Sequence, residues 1–100
     1  MPVWPDSNME SFDHTGSETE DCEVRIDGHE IVVTYRDPDQ GYVTYKGSEV
    51  GTGHFKLECP ELNGKATLHQ LPGSEYLDGY WTQQGASGMW RVMLASNRDE

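Results

Sequence analysis

Several things are scarce in this chain, and each shortage removes a class of protein. Two cysteines, Cys22 and Cys59, are too few for a disulfide framework and do not form a C-x-x-C pair. No apolar run is long enough for a membrane-crossing helix, and "MPVWPDSNMESFDH" has neither the basic start nor the apolar stretch of a secretory signal. The expected compartment is therefore the cytoplasm, with both thiols reduced. The phosphate-cradling G-x-x-x-x-G-K-[ST], the nucleophile turn G-x-S-x-G and the zinc motif H-E-x-x-H are all missing. Bases are few as well: seven Lys and Arg stand against eighteen Asp and Glu, for a net charge of −11. That sign repels phosphate backbones and anionic membranes and disfavours direct binding to either.

Apolar residues make up 34% of the chain, less than a globular protein normally carries, and the deficit is local. Residues 1–21 hold Asp6, Glu10, Asp13, Glu18, Glu20 and Asp21, no Lys or Arg, and only Trp4 and Phe12 as isolated aromatics. With neither helical nor alternating periodicity, this segment reads as a disordered acidic leader. It is either a solvated tail or a segment that folds on a basic partner. Residues 22–95 form one β domain, and residues 96–100 a flexible tail.

From Cys22 onward the pattern alternates. "CEVRID" and "HEIVVTYR" flank Asp27-Gly28 as a hairpin, predicting Ile26 opposite His29, an outward Arg25–Glu30 pair, and Val24 opposite Ile31. "RDPDQG" is a turn cluster, "YVTYK" starts a strand, and "HFKLEC" alternates strictly. Asn63-Gly64 predicts another tight turn, with Cys59 opposite Leu68 and His69 outward near Glu58. In "DGYWTQQGASGMWRVML" a loop over 84–87 places Trp81 opposite Trp90, Leu77 opposite Leu94 and Tyr80 opposite Arg91. An internal echo aligns Gly41, Tyr42, Thr44 and Gly47 with Gly79, Tyr80, Thr82 and Gly85, and Gly53 and Phe55 with Gly88 and Trp90. The expected fold is all-β: an antiparallel meander of about seven strands curled into a small barrel or half-barrel. Its inward set is Val24, Ile31, Val33, Val43, Phe55, Leu57, Leu68, Trp81, Trp90, Val92 and Leu94. An unclosed barrel would leave edges that a homodimer can protect, so monomer and homodimer both stay open.

The candidate chemistry divides by face. Trp81 and Trp90 suit a buried cross-strand pair, and with Phe55 and Tyr45 they also suit the wall of a small-ligand site, because a barrel's inward residues line any cavity it holds. Tyr80, Met89, Arg91 and Met93 share the opposite face and are residue types enriched at protein interfaces. His14, His29, His54 and His69, with the two cysteines, fall on different strands without local ligand spacing, so neither a metal site nor a cofactor is implied. Glu30, Glu58 and Asp78 read as solvated strand charges, the alternative being a carboxylate cluster for acid–base work.

On "LDGYWTQQGASGMWRVML", "YKGSEVGTGHFKLE" and "GKATLHQLPGS" the chain resembles small uncharacterised bacterial β domains that end in a G-x-W, G-x-W-R-aliphatic hairpin. It is also distantly similar to calycins, the lipocalin and avidin group of ligand-binding barrels. The calycin G-x-W sits in the first strand, whereas Gly79-Tyr80-Trp81 is near the end of this chain. The resemblance implies a barrel with a ligand inside. The leading expectation is a non-enzymatic binding module for a protein or a small apolar ligand. The alternatives are an acidic inhibitor that mimics nucleic-acid charge against a basic protein, and a small barrel hydrolase or isomerase.

Overall fold

Side chains that alternate between apolar and polar every second residue can bury one face of an extended strand, and nearly the whole chain uses that solution. The computed structural model describes residues 3–13, 16–38 and 40–94. Eight strands follow one another: β1 (Val3–Asp13), β2 (Gly16–Asp27), β3 (Glu30–Asp37), β4 (Gly41–Gly51), β5 (His54–Cys59), β6 (Gly64–His69), β7 (Tyr76–Gln83) and β8 (Ala86–Met93). A short 3-10 turn at Pro60–Leu62 separates β5 from β6. Each strand is antiparallel to the next, and β1 also pairs with β8, so the expected antiparallel meander closes into a barrel. Among the described strands each is paired on both sides. Among the described residues, no helix is long and apolar enough to cross a membrane.

The strand that completes the circle comes from the segment whose composition argued for a disordered leader. Residues 3–13 form β1 and residues 16–21 open β2, so the barrel spans the expected boundary at residue 22. Met9 is the join, opposite Glu20 on β2 and Val92 on β8. Ser7 and Met9 are buried, but the inward positions nearer the β1–β2 turn are Ser11, Glu18 and Glu20. Polar residues there erase the apolar alternation that would have marked a strand. His14 and the tail at 96–100 lie outside the described residues.

Three hairpins differ from their expected registers, each by an even number of residues. Gly28 and His29, not Asp27 and Gly28, are the central pair of the β2–β3 turn, so Ile26 lies opposite Ile31 and Val24 opposite Val33. Gly28 alone has positive φ (63°), as a type II′ turn requires, whereas a type I′ turn needs two such residues. Arg25 consequently faces Val32 and meets Glu23 at 3.7 Å instead of Glu30. The β7–β8 hairpin turns on Gln84 and Gly85 alone, both with positive φ (51° and 83°). At β5–β6 the 3-10 turn ends on a left-handed Asn63, so Cys59 pairs with Gly64 and Leu68 with Phe55. His69 therefore lies opposite His54, their Nδ1 atoms 2.7 Å apart, and Glu58 lies opposite Lys65.

A shift of one residue would have turned every side chain to the wrong face, but an even shift changes partners and keeps faces. The inward set is accordingly as expected. Val24, Ile31, Val33, Leu57, Leu68 and Val92 are fully buried, Val43, Phe55, Trp90 and Leu94 are buried, and Trp81 is half-buried against them. The internal echo does not survive as structure. Gly47 sits within β4 while Gly85 is in a turn, and Gly53 is in a turn while Gly88 is within β8.

Up-and-down order sends alternate turns to opposite ends. The end with the β2–β3, β4–β5 and β6–β7 connections is laced shut. Glu49 N–H donates to the His29 carbonyl (2.6 Å), and the Gln70 and Leu94 N–H groups donate to the carbonyls of Gly53 and Glu75 (2.8 Å each). The Glu49 carboxylate accepts from Gly53 N–H and meets His29 Nδ1, both at 2.8 Å. The other end is open.

Candidate functional site

The open end holds a cavity of about 160 Å³ bordered by Asp13, Gly16, Asp37 and Gln83 at the ends of β1, β2, β3 and β7. A cavity near that volume is enough to hold one aromatic ring. Parity puts Tyr35 on β3, Tyr45 on β4, Trp81 and Gln83 on β7, and Trp90 on β8 along its wall. Tyr35 and Tyr45 thus point inward, and Tyr42 is exposed.

Trp90 is 3% exposed, its ring centroid 5.7 Å from that of Tyr45 at a tilt of 56°. Its indole N–H donates to the Thr67 carbonyl at 2.9 Å, and Trp81 N–H donates to the Met89 carbonyl at 3.2 Å. The two tryptophans are not directly opposite each other, because the two-residue turn moves the register by two. Trp90 lies across from Gly79 and Trp81 across from Gly88. Each indole covers a residue without a side chain, which leaves room at the mouth. The Tyr45 hydroxyl donates to Gln83 Oε1 at 2.5 Å and ties the ring to the cavity rim. Burial pushes the Tyr45 phenol up to about 12, helped by Cys59, and pushes Tyr35 up as well, helped by Tyr45 and nearby acids. Both rings therefore present neutral hydroxyls at physiological pH.

The second half of the lining was not recognised in the sequence. Asp13, Glu18, Glu20 and Asp37 converge on the same cavity. Glu20 is half-buried, and its Oε2 is shut off from solvent without a hydrogen-bond partner among the described residues. Burial raises its carboxyl above the ordinary value, and the charges of Asp37 and Glu18 raise it further. The signal was available only as an alternation of inward Gly16, Glu18 and Glu20 with outward residues, which a search for apolar periodicity does not detect.

Of the four expected ligand residues, Tyr45, Trp81 and Trp90 meet at this cavity. Phe55 does not: it is buried in the core, paired with Leu68 and Glu49 towards the laced end. The expected interface set, Tyr80, Met89, Arg91 and Met93, is exposed on the outer face of β7 and β8, with Tyr80 opposite Met89. Arg91 meets Asp78 at 2.7 Å, and its guanidinium lies 5.1 Å from the centre of the Tyr76 ring. Glu30, Glu58 and Asp78 sit on alternate strands opposite Ser48, Lys46 and Arg91, and so do not form a carboxylate cluster. Both cysteines are buried and free, and burial pushes the Cys22 thiol up to about 12. Among the described residues no three His, Cys, Asp or Glu side chains are grouped to hold a metal ion.

Comparison with protein-family models, with curated proteins and with solved structures yields no match. The chemistry of the site is the remaining guide to function.

Proposed function

We propose that the protein is a non-enzymatic binding module that takes a small ligand into the open end of its barrel. The observation that carries this reading is the 160 Å³ cavity floored by buried Tyr45 and Trp90, with half-buried Trp81 at its wall. A closed barrel with one end laced and the other lined by aromatic rings is a preformed concave site, which lowers the ordering cost of binding. The resemblance to calycins points the same way. Titration with a neutral ring-sized probe should quench tryptophan fluorescence in the intact chain. Trp81→Ala should weaken that probe, and equal binding to both proteins would place the probe elsewhere.

The protein-partner form of this reading uses Tyr80, Met89, Arg91 and Met93, which stand exposed on β7 and β8. Its test is sedimentation of Met89→Lys/Met93→Lys beside the parent chain, where unchanged self-association would remove a homodimer through this face.

The convergence of Glu20, Glu18 and Asp37 beside Tyr35 favours one second reading, a small barrel isomerase or hydrolase with Glu20 as its proton-transfer group. Deuterium exchange on a bound carbon acid, lost in Glu20→Gln, is the result it requires. For the acidic-mimic reading, deletion of 1–21 would remove β1 and the first part of β2. Salt dependence of binding to a basic protein is therefore the cleaner measurement.

A further inference from the structure

The charged residues of the described cavity lining are all of one sign. Four carboxylates line the cavity, and its described lining residues include no Lys, Arg or His. On the outer face some acids stand beside bases. Glu58 lies opposite both Lys46 and Lys65, and Asp78 holds Arg91. At the mouth Asp37 and Glu18 oppose ionisation of Glu20, and Glu20 Oε2 is closed to solvent with no partner among the described residues. Like charges around an oxygen that is closed to solvent and has no partner among the described residues cost stability, and a bound positive group would relieve that cost.

Beside those carboxylates stand the aromatic residues Tyr35, Tyr45, Trp81 and Trp90. Aromatic rings attract a desolvated cation, and carboxylates supply its counter-charge. A bare metal ion does not fit this lining, since no three acidic or imidazole ligands are grouped among the described residues, and aromatic walls offer it no donor. An anion is repelled by all four acids.

We propose that the mouth selects a small organic cation. The ammonium group sits against Glu20, with Glu18 and Asp37 adding to the field, and a body no larger than about one ring packs between Tyr45, Trp81 and Trp90. This deepens the small-ligand reading and depends on it.

Benzylammonium, benzyl alcohol and benzoate share one ring and differ in charge, so tryptophan fluorescence titrations of the full chain with all three separate the two levels. The expected order is benzylammonium tightest, about tenfold over benzyl alcohol, with benzoate weakest. Glu20→Gln should erase most of the benzylammonium advantage over benzyl alcohol. Glu58→Gln, on the exposed outer face, should leave all three unchanged. Equal affinity for the ammonium and the alcohol overturns the cation proposal while the pocket stands. Loss of benzylammonium binding in Glu58→Gln as large as in Glu20→Gln also overturns it, by showing attraction to net charge alone. Displacement of benzylammonium by calcium chloride at concentrations where sodium chloride of equal ionic strength has no effect would overturn it in favour of a metal. If none of the three compounds binds, the cation proposal and the pocket reading fall together.

Discussion

Trp90 lies across the β7–β8 ladder from Gly79, and its indole N–H continues over that glycine to the Thr67 carbonyl on β6, 2.9 Å away. A single side chain thereby fastens three consecutive strands where the barrel curves around its cavity. The relationship needs the missing side chain: a Cβ at Gly79 would lie 1.7 Å from the Thr67 oxygen.

Gly79→Ala should therefore destabilise the barrel by about 3 kcal/mol, at the upper end of overpacking costs, because the obstacle is backbone and cannot rotate away. Trp90→Phe keeps most of the ring and should cost about 1–2 kcal/mol for the orphaned carbonyl and lost contact. Urea unfolding followed by circular dichroism measures both. Near-equal stability of Gly79→Ala and the parent would contradict the close approach.

Glu20 bears on pH dependence. Its folded carboxyl is raised above the ordinary value, so the stability that its protonated form contributes is complete below the ordinary carboxylate range and is lost as pH rises through the raised value. Glu20→Gln copies the protonated shape and should raise the melting temperature at neutral pH while changing little in mild acid. A drop at neutral pH would mean that the ionised carboxylate has a stabilising partner.

Glu49 shifts in the opposite direction. The Gly53 N–H and the His29 side chain hold its carboxyl below the ordinary value. Its contribution is present above the unfolded value and lost as pH falls through the folded one. Carbon-detected titration of the side-chain carboxylates should show Glu49 protonating below the ordinary glutamate value. Glu49→Gln should loosen hydrogen-exchange protection at the Gly53 amide first.

Tyr45 should stay protonated until about pH 12, with Tyr35 later still, so phenolate absorbance from these two rings should emerge only at the alkaline limit. Tyr45→Phe removes the bond to Gln83 and should cost about 1 kcal/mol while leaving the barrel closed. An early phenolate band that vanishes in Tyr45→Phe would show that the ring is not held inside.

The Cys22 thiol, pushed up to about 12 by burial and the neighbouring acids, should be inert to a disulfide reagent in the native state. Both buried cysteines should react only as the chain unfolds, at a rate that follows denaturant. Fast labelling of Cys22 in native buffer would contradict its buried place opposite Tyr35 in the β2–β3 ladder.

How much could be read beforehand depended on which property was asked for. The faces of the aliphatic residues and of the tryptophans between Cys22 and Leu94 are legible in the sequence, because strand parity is local and survives even shifts in register, whereas those of Tyr35 and Tyr45 are not. Thus Tyr80 and Met89 were assigned outward, and Trp90 and Val92 inward, although their partners were wrong. Partners depend on turn length, and Gln84-Gly85 makes a two-residue turn without the asparagine or aspartate that usually announces one.

Alternation along the chain is enough to specify an antiparallel all-β protein and its inward aliphatic set, since each rests on a two-residue period that every strand must obey. The tertiary structure decided that the barrel closes and that its mouth is acidic. β1 carries too little apolar signal to announce itself, and only by pairing with both β2 and β8 does it join the sheet. That same closure carries Asp13, Glu18 and Glu20 inward to meet Asp37, from positions whose charges, taken along the chain, describe a solvated leader.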